Sequence, residues 1–240
     1  MIIHTYPDLE SLSLAAAALW ARQAEHAVKI RGRFAVALSG GQTPRRTYEI
    51  LAQPPFREQV DWDRTHIFWG DERCVPADDP RSNARLAREA LLEQVPLPRS
   101  QIHPLSCRPS PAAGAREYET LLRDFCAGTP PGLDLIFLGL GEDGHTASLF
   151  PSSGALEERE RWTAAVYVPA PGLNRVTLTP AFINQAATVA FLVAGAAKAG
   201  ALREVMQKPG DPRRLPAQLI KPEPGALYWL ADRAAAGQLP

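Results

Sequence analysis

Residues 139–151 read Gly139-Leu140-Gly141-Glu142-Asp143-Gly144-His145-Thr146-Ala147-Ser148-Leu149-Phe150-Pro151, which sets one histidine two positions after an aspartate among three glycines. An imidazole can take and return a proton near neutral pH, and a neighbouring carboxylate can orient the ring. His145 is therefore a candidate acid–base group, with Asp143 to hold it. The same run contains GxGxxG, the pattern of a dinucleotide-binding turn. Glu142 and Asp143 would meet a pyrophosphate with like charge, and Pro151 cuts short the helix that such a turn requires. A catalytic loop and a dinucleotide turn remain as two readings, the first fitting the residues better.

A second run, Ser39-Gly40-Gly41-Gln42-Thr43-Pro44-Arg45-Arg46, joins two glycines to a helix start. Glycine lets backbone approach a ligand closely, and the first N–H groups of a helix have no partner within it. Together they suit an anion such as phosphate. The competing reading is an ordinary capped turn with solvated arginines. Arg45 and Arg46 sit where the helix dipole prefers acidic groups, which suggests negative charge arriving from elsewhere.

The third run, Trp69-Gly70-Asp71-Glu72-Arg73, continues through Asp78-Asp79 to Ser82-Asn83. An arginine here can bind phosphate bidentately, beside carboxylates that orient it or meet sugar hydroxyls. A surface salt bridge and an Asp-rich turn before a helix are the plainer account of the run taken alone. Two cations stand apart, Arg175 in Asn174–Thr179 and Lys198 after Gly195-Ala196-Ala197. Each lies beside a strand end or helix start, and a solvated side chain is the plainer explanation of each. No HExxH, GxSxG, Walker or DxDxDG sequence is present, and His4, His26, His66 and His103 have no metal-ligand spacing. No metal is expected.

The elements that must carry these residues alternate. Asp8 can cap a helix running toward Ile30, with Gly32 past its end. Phe34–Leu38, Thr65–Trp69 and Leu133–Leu138 read as buried strands, the last a continuous apolar run typical of a parallel sheet covered on both faces. Thr43 is the expected N-cap of the next helix, with Pro44 at its first position. Ser82 can cap another, and a further helix is expected over 112–125. Strands are expected at Thr163–Val168, Val176–Thr179, Val189–Val193 and Leu227–Leu230, and helices around 196–207 and 215–220. Pro and Gly cluster in connections at 54–55, 96–111, 130–132 and 209–224. The pattern predicts βαβ units in an α/β fold: one open, mainly parallel sheet with helices on both faces, in a single domain over 1–240. In such sheets ligands sit beyond the carboxyl ends of the strands. If the first three strands are neighbours, the three chemically rich runs converge on one cleft.

The composition is that of an ordinary globular chain of 240 residues, 45% hydrophobic and 22% charged. Lys plus Arg, 26, balance Asp plus Glu, 26, so no overall basic field points to nucleic acid or an anionic membrane. The amino-terminal MIIHTYPDLESL lacks the features of a signal peptide, and the apolar stretches are too short to span a bilayer. A cytoplasmic protein is expected. Cys74, Cys107 and Cys126 form no CxxC pair and are expected to be reduced thiols.

Taken jointly, the runs Leu38–Pro44, Trp69–Arg73 with Val75-Pro76 and Ser82-Asn83, Leu133-Asp134, Leu138 through Asp143-Gly144-His145 to Pro151, Arg175–Thr179, Gly195–Lys198 and Leu215-Pro216-Ala217 resemble the 6-phosphogluconolactonase family. The resemblance covers nearly the whole chain. It implies a Rossmann-like open sheet related to the amino-sugar-phosphate deaminases, no metal or organic cofactor, and a small sugar-phosphate δ-lactone as the partner molecule. It implies a monomer or small homo-oligomer with His145 as acid–base group, Asp143 orienting it and Asp71 in a polar or orienting role. Ser39, Gly40, Gly41, Gln42, Thr43, Arg73, Arg175 and Lys198 would share recognition of the phosphate and sugar. The related deaminases follow their Asp-Gly-His loop with a Phe-Asn-Glu stretch whose Glu takes part in catalysis. Here that stretch is Ser148-Leu149-Phe150, which favours lactone hydrolysis over deamination.

Overall fold

A computed structural model describes residues 2–128, 132–169, 172–207 and 210–239. Of the proline-rich connections expected from sequence, residues 130, 131 and 209 lie outside that set. Among the described residues nine strands are formed: β1 (Ile2–Tyr6), β2 (Phe34–Leu38), β3 (Thr65–Trp69), β4 (Asp71–Arg73), β5 (Leu135–Leu138), β6 (Thr163–Val168), β7 (Leu173–Leu178), β8 (Thr188–Val193) and β9 (Ala226–Asp232). The α-helices are α1 (Leu9–Arg31), α2 (Gln42–Leu51), α3 (Phe56–Gln59), α4 (Asn83–Ala87), α5 (Pro111–Cys126), α6 (Pro180–Ile183), α7 (Ala199–Met206) and α8 (Arg233–Ala236).

Six strands make one sheet in the order β1-β9-β8-β5-β2-β3, every pairing parallel. Each residue of β2, β5 and β8 is buried. Successive side chains point to opposite faces, so unbroken burial means that both faces are covered. The chain passes from β2 to β3 on one side and from β5 through β8 to β9 on the other. That reversal between β2 and β5 is the topological switch where ligand crevices form. The three predicted neighbours are therefore neighbours, β3-β2-β5.

The remaining strands form a separate antiparallel sheet, β4-β7-β6. This is a correction: the expected runs are strands, the second spanning Leu173–Leu178 and stopping short of Thr179, but they are not part of the parallel sheet. They pair with each other over six positions, and the sheet is completed on the far side of β7 by β4, a three-residue strand of charged residues that carries no apolar signal. The sheets join at Gly70, whose N–H donates to the Leu38 carbonyl at 2.8 Å and whose carbonyl accepts from Leu178 N–H at 2.8 Å. Both sheets feed one core, which includes Trp20 packed on Phe34, Trp62 and Phe137.

Helix α1 has the expected ends, with Asp8 accepting from Ser11 N–H at 2.8 Å and Gly32 closing it at φ 72°. Helix α2 begins one residue before the expected cap. Gly41, at φ 107°, is its N-cap and offers no side chain, while Thr43 lies inside the first turn. The 215–220 segment is a single 3-10 turn over Pro216–Leu219. The cysteine expectation is also corrected, because Cys74 and Cys107 form a disulfide with Cα atoms 5.4 Å apart. Spacing alone could not reveal a pair 33 positions apart that the fold brings together.

Candidate active site

The loop after β5 is shaped by its glycines. Gly141 N–H donates to the His145 carbonyl at 2.8 Å, and Gly144 N–H donates to the Gly141 carbonyl at 3.1 Å. Gly144 has φ 80°, and a Cβ there would press within 2.6 Å of Leu215. A Cβ on Gly141 would lie 2.0 Å from His145 Nδ1 and 2.6 Å from Asp143 Oδ1. Its absence is what lets the Asp–His pair fold back over the loop. Thr146 Oγ1 then anchors the loop to the Gly139 carbonyl at 2.8 Å.

His145 Nδ1 lies 2.5 Å from Asp143 Oδ1, and the same oxygen accepts from His145 N–H at 3.1 Å. Nδ1 is thus the donor, and Nε2 has no hydrogen-bond partner among the described residues. Burial pushes the Asp143 carboxyl up, but the hydrogen bonds and charge of His145 outweigh it and hold the group below its ordinary range. The Phe150 ring packs on the imidazole with centroids 4.3 Å apart, and the Arg175 guanidinium lies 5.2 Å from that ring's centroid. Imidazole and guanidinium share one aromatic neighbour, so the acid–base candidate and one predicted cation belong to one site. The dinucleotide reading of this loop has no helix to support it: the segment continues as turns to a 3-10 turn at Gly154–Glu157.

Beside the loop, β4 and β7 pair Arg73 directly with Arg175. Two like charges at facing positions repel unless something negative lies near. Asp71 supplies part of that charge, its Oδ2 3.8 Å from Arg175 Nη1. Asp71 is 5% exposed, and its carboxylate accepts from Ser148 Oγ at 2.6 Å and Asn83 Nδ2 at 3.2 Å. Arg175 is mostly buried, and the cost of burial pushes its pKa below the ordinary guanidinium range, with Asp71 opposing. Arg73 instead donates through Nη1 to the Arg81 carbonyl at 2.6 Å. Glu72 caps α4, accepting from Ser82 Oγ and from the N–H groups of Arg73, Asn83 and Ala84 at 2.7–3.0 Å. Burial raises its pKa, and those backbone donors pull against the rise.

The glycine run ends β2. Tyr48 Oη accepts from Ser39 N–H at 3.0 Å and donates to the Ser39 carbonyl at 2.8 Å, which pins the run to α2. Gly40 packs against Asn83, and Gly41 and Gln42 are exposed, with Thr43 partly so. With no side-chain cap on α2, the first-turn N–H groups stay available to an anion. Arg45 and Arg46 do not wait for outside charge: Arg45 pairs with Glu49, and Arg46 with Glu10 and Glu49. Lys198 stands 3.8 Å from Glu142 of the loop after β5. A cavity of about 1100 Å³ opens beside Asp143 and Phe150, floored by β6 and α5.

The structure therefore gathers Asp143, His145, Asp71, Arg175 and Arg73 around β4, β7 and the β5 loop, and ties Lys198 to that loop through Glu142. The Ser39–Thr43 run joins them through Asn83. Sequence reasoning missed Ser148, Asn83 and Phe150 as site residues, although Ser148 and Phe150 lie within five positions of His145. Among the described residues no group of three or more His, Cys, Asp or Glu is arranged to hold a metal.

A family model described as glucosamine-6-phosphate isomerases/6-phosphogluconolactonase matches residues 7–229. A 6-phosphogluconolactonase of Synechocystis sp. is 45% identical over 217 residues, covering 89% of this chain and 88% of that protein. One from Nostoc sp. is 40% identical over 241 residues, covering 99% and 98%. The solved 6-phosphogluconolactonase of Trypanosoma brucei has a TM-score of 0.85 at 28% identity, covering 100% of this chain and 98% of that one. A monomeric glucosamine-6-phosphate deaminase also reaches a TM-score of 0.85, at 20% identity, and shares the fold.

Proposed function

The chain belongs to the glucosamine-6-phosphate isomerase/6-phosphogluconolactonase family, and on that premise we propose that it hydrolyses 6-phospho-D-glucono-1,5-lactone to 6-phospho-D-gluconate with His145 as the acid–base group. The observation that carries this reading is the imidazole itself. Its Nδ1 is committed to Asp143, and its Nε2 is left open beside Phe150 and Arg175.

Neutral His145 takes a proton through Nε2 from a water that attacks C1 of the lactone. The carbonyl electrons move onto oxygen, and the C1–O5 bond then breaks as the imidazolium returns the proton to the departing ring oxygen. Asp143 holds the ring and balances the transient positive charge. General-base help of this kind is worth roughly 10²–10⁴-fold, and it suffices for a lactone that already opens slowly in water. The phosphate lies with Arg175, Lys198, Arg73 and the uncapped start of α2, including Ser39, Gly40, Gly41, Gln42 and Thr43. Binding energy gained there orients the reacting carbonyl. No step requires a metal or organic cofactor.

Deamination of an amino-sugar phosphate is the competing chemistry within the family. The side chain of Phe150, packed on His145, supplies no carboxylate where that chemistry uses one, and this supports the hydrolase. One domain over 1–240 and a cytoplasmic setting complete the reading, since a doubly charged sugar phosphate does not cross a bilayer unaided. Freshly generated lactone, followed by proton release, tests the assignment. The reading predicts turnover well above spontaneous opening, with no ammonia released from glucosamine 6-phosphate. Ammonia release without lactonase turnover would replace it with the deaminase.

A further inference from the structure

We propose that Ser148, Asp71 and Asn83 form a buried polar tie that fixes the spacing between the His145 imidazole and the phosphate cradle, and that they act as positioning residues. The inference rests on the lactonase reading and deepens it.

The three site loops leave the neighbouring strands β2, β3 and β5, where Gly70 N–H already meets the Leu38 carbonyl, and the tie joins them further out through side chains. Ser148, fully buried three residues after His145, donates from Oγ to Asp71 Oδ2 at 2.6 Å. That is the short, charge-assisted range of an O–H to a carboxylate. Its backbone N–H donates to Thr177 Oγ1 on β7 at 3.2 Å. The catalytic loop is thereby bolted to the two strands that carry Arg73 and Arg175. Arg175 Nη1 reaches the same junction, 3.5 Å from Ser148 Oγ and 3.8 Å from Asp71 Oδ2.

Asp71 passes the connection on. Asn83 Nδ2 donates to the Asp71 carbonyl at 2.9 Å and to its Oδ1 at 3.2 Å. Both of those atoms only accept, so the amide nitrogen must face them, and Asn83 Oδ1 must face the other way. There it meets Gly40, where a Cβ would lie only 1.8 Å from Oδ1. Asn83 is 2% exposed, and that oxygen has no hydrogen-bond partner among the described residues. Burying an unpaired carbonyl oxygen is unfavourable for stability, and such groups call for another explanation. Holding the glycine run at a fixed distance from Asp71 is that explanation. Ser148 is fully buried and both Asp71 carboxylate oxygens are taken up by Ser148 and Asn83, so their effect on turnover passes through the groups they hold.

Two lactones that differ only in the phosphate separate positioning from chemistry. With 6-phosphogluconolactone, the anchored phosphate dictates where the carbonyl lies, and an error of about 1 Å costs roughly 10²-fold. Unphosphorylated glucono-1,5-lactone has no such anchor and seats itself against the imidazole. Ser148→Ala is expected to lower kcat/KM roughly 10- to 100-fold on the phosphorylated lactone and less than about threefold on the other. Asn83→Ala enters the tie from its far end and is expected to give the same selective loss, and it carries the comparison alone if Ser148→Ala does not fold. Equal losses on both substrates, or no loss on either, overturn the tie while leaving the lactonase standing. A wild-type chain that opens neither lactone overturns both.

Discussion

The Asp143 carboxylate offers a graded test of the proposed catalytic pair. Both of its contacts with His145, to Nδ1 at 2.5 Å and to the backbone N–H at 3.1 Å, fall on the single oxygen Oδ1. An asparagine can keep both by presenting its carbonyl oxygen, so Asp143→Asn removes the charge and little else. A hydrogen bond to a charged group contributes about 1.5–3 kcal/mol against about 1 for a neutral one. The difference, about 0.5–2 kcal/mol, corresponds to a roughly 2- to 30-fold loss in kcat. Asp143→Ala also frees the ring to turn, and a loss of at least about 10²-fold is expected, the cost of a misplaced reacting group. The loop itself survives either change, because Gly141 N–H to the His145 carbonyl and Gly144 N–H to the Gly141 carbonyl do not involve the side chain. Stopped-flow proton release, corrected for spontaneous opening, reads both values. Wild-type kcat in Asp143→Ala would refute the pair, and equal losses in the two variants would refute the division between charge and orientation.

Gly141→Ala forces a Cβ to within 2.0 Å of His145 Nδ1 and is expected to lower kcat by about 10²-fold with little change in melting temperature; unchanged turnover would mean that the pair does not sit as described. His66 Nδ1 lies 3.2 Å from His103 Nε2, beside Phe68, Phe125 and Arg33, and burial, then the charges of His103 and Arg33, push His66 down to about 4. Burial lowers His103 as well. The unfolded rings bind protons first, so this stability is complete above the ordinary imidazole value of 6.5 and is lost as pH falls through about 4. After allowance for partial exposure, the loss is roughly 1–2 kcal/mol. His66→Phe should flatten the acid side of the melting curve, and identical acid slopes in the two proteins would refute the shift.

The parallel sheet was legible because buried strands announce themselves. Phe34–Leu38 and Thr65–Trp69 match β2 and β3 at both ends, and the Asp8 and Ser82 caps lie where the side chains demand. What escaped depends on tertiary partners. β1 is an edge strand with four of its five residues exposed, so it carries no burial pattern. β4 is Asp-Glu-Arg, and it is a strand only because β7 pairs with it and buried donors satisfy Asp71 and Glu72. Without β4, the completed antiparallel sheet could not be foreseen, nor the facing of Arg73 and Arg175. The Asp143–His145 pair was readable from a spacing of two within a glycine loop. Ser148 was not, since its partner Asp71 lies 77 positions away.

The imidazole's role in chemistry, on a ligand held by other groups, is read from His145→Asn when turnover and binding are measured on the same preparation. The expected kcat is lower by at least about 10²-fold after subtraction of spontaneous opening, with calorimetric affinity for 6-phosphogluconate within about threefold of wild type because the phosphate cradle is untouched. Near wild-type turnover, or an affinity that collapses with the rate, would contradict it.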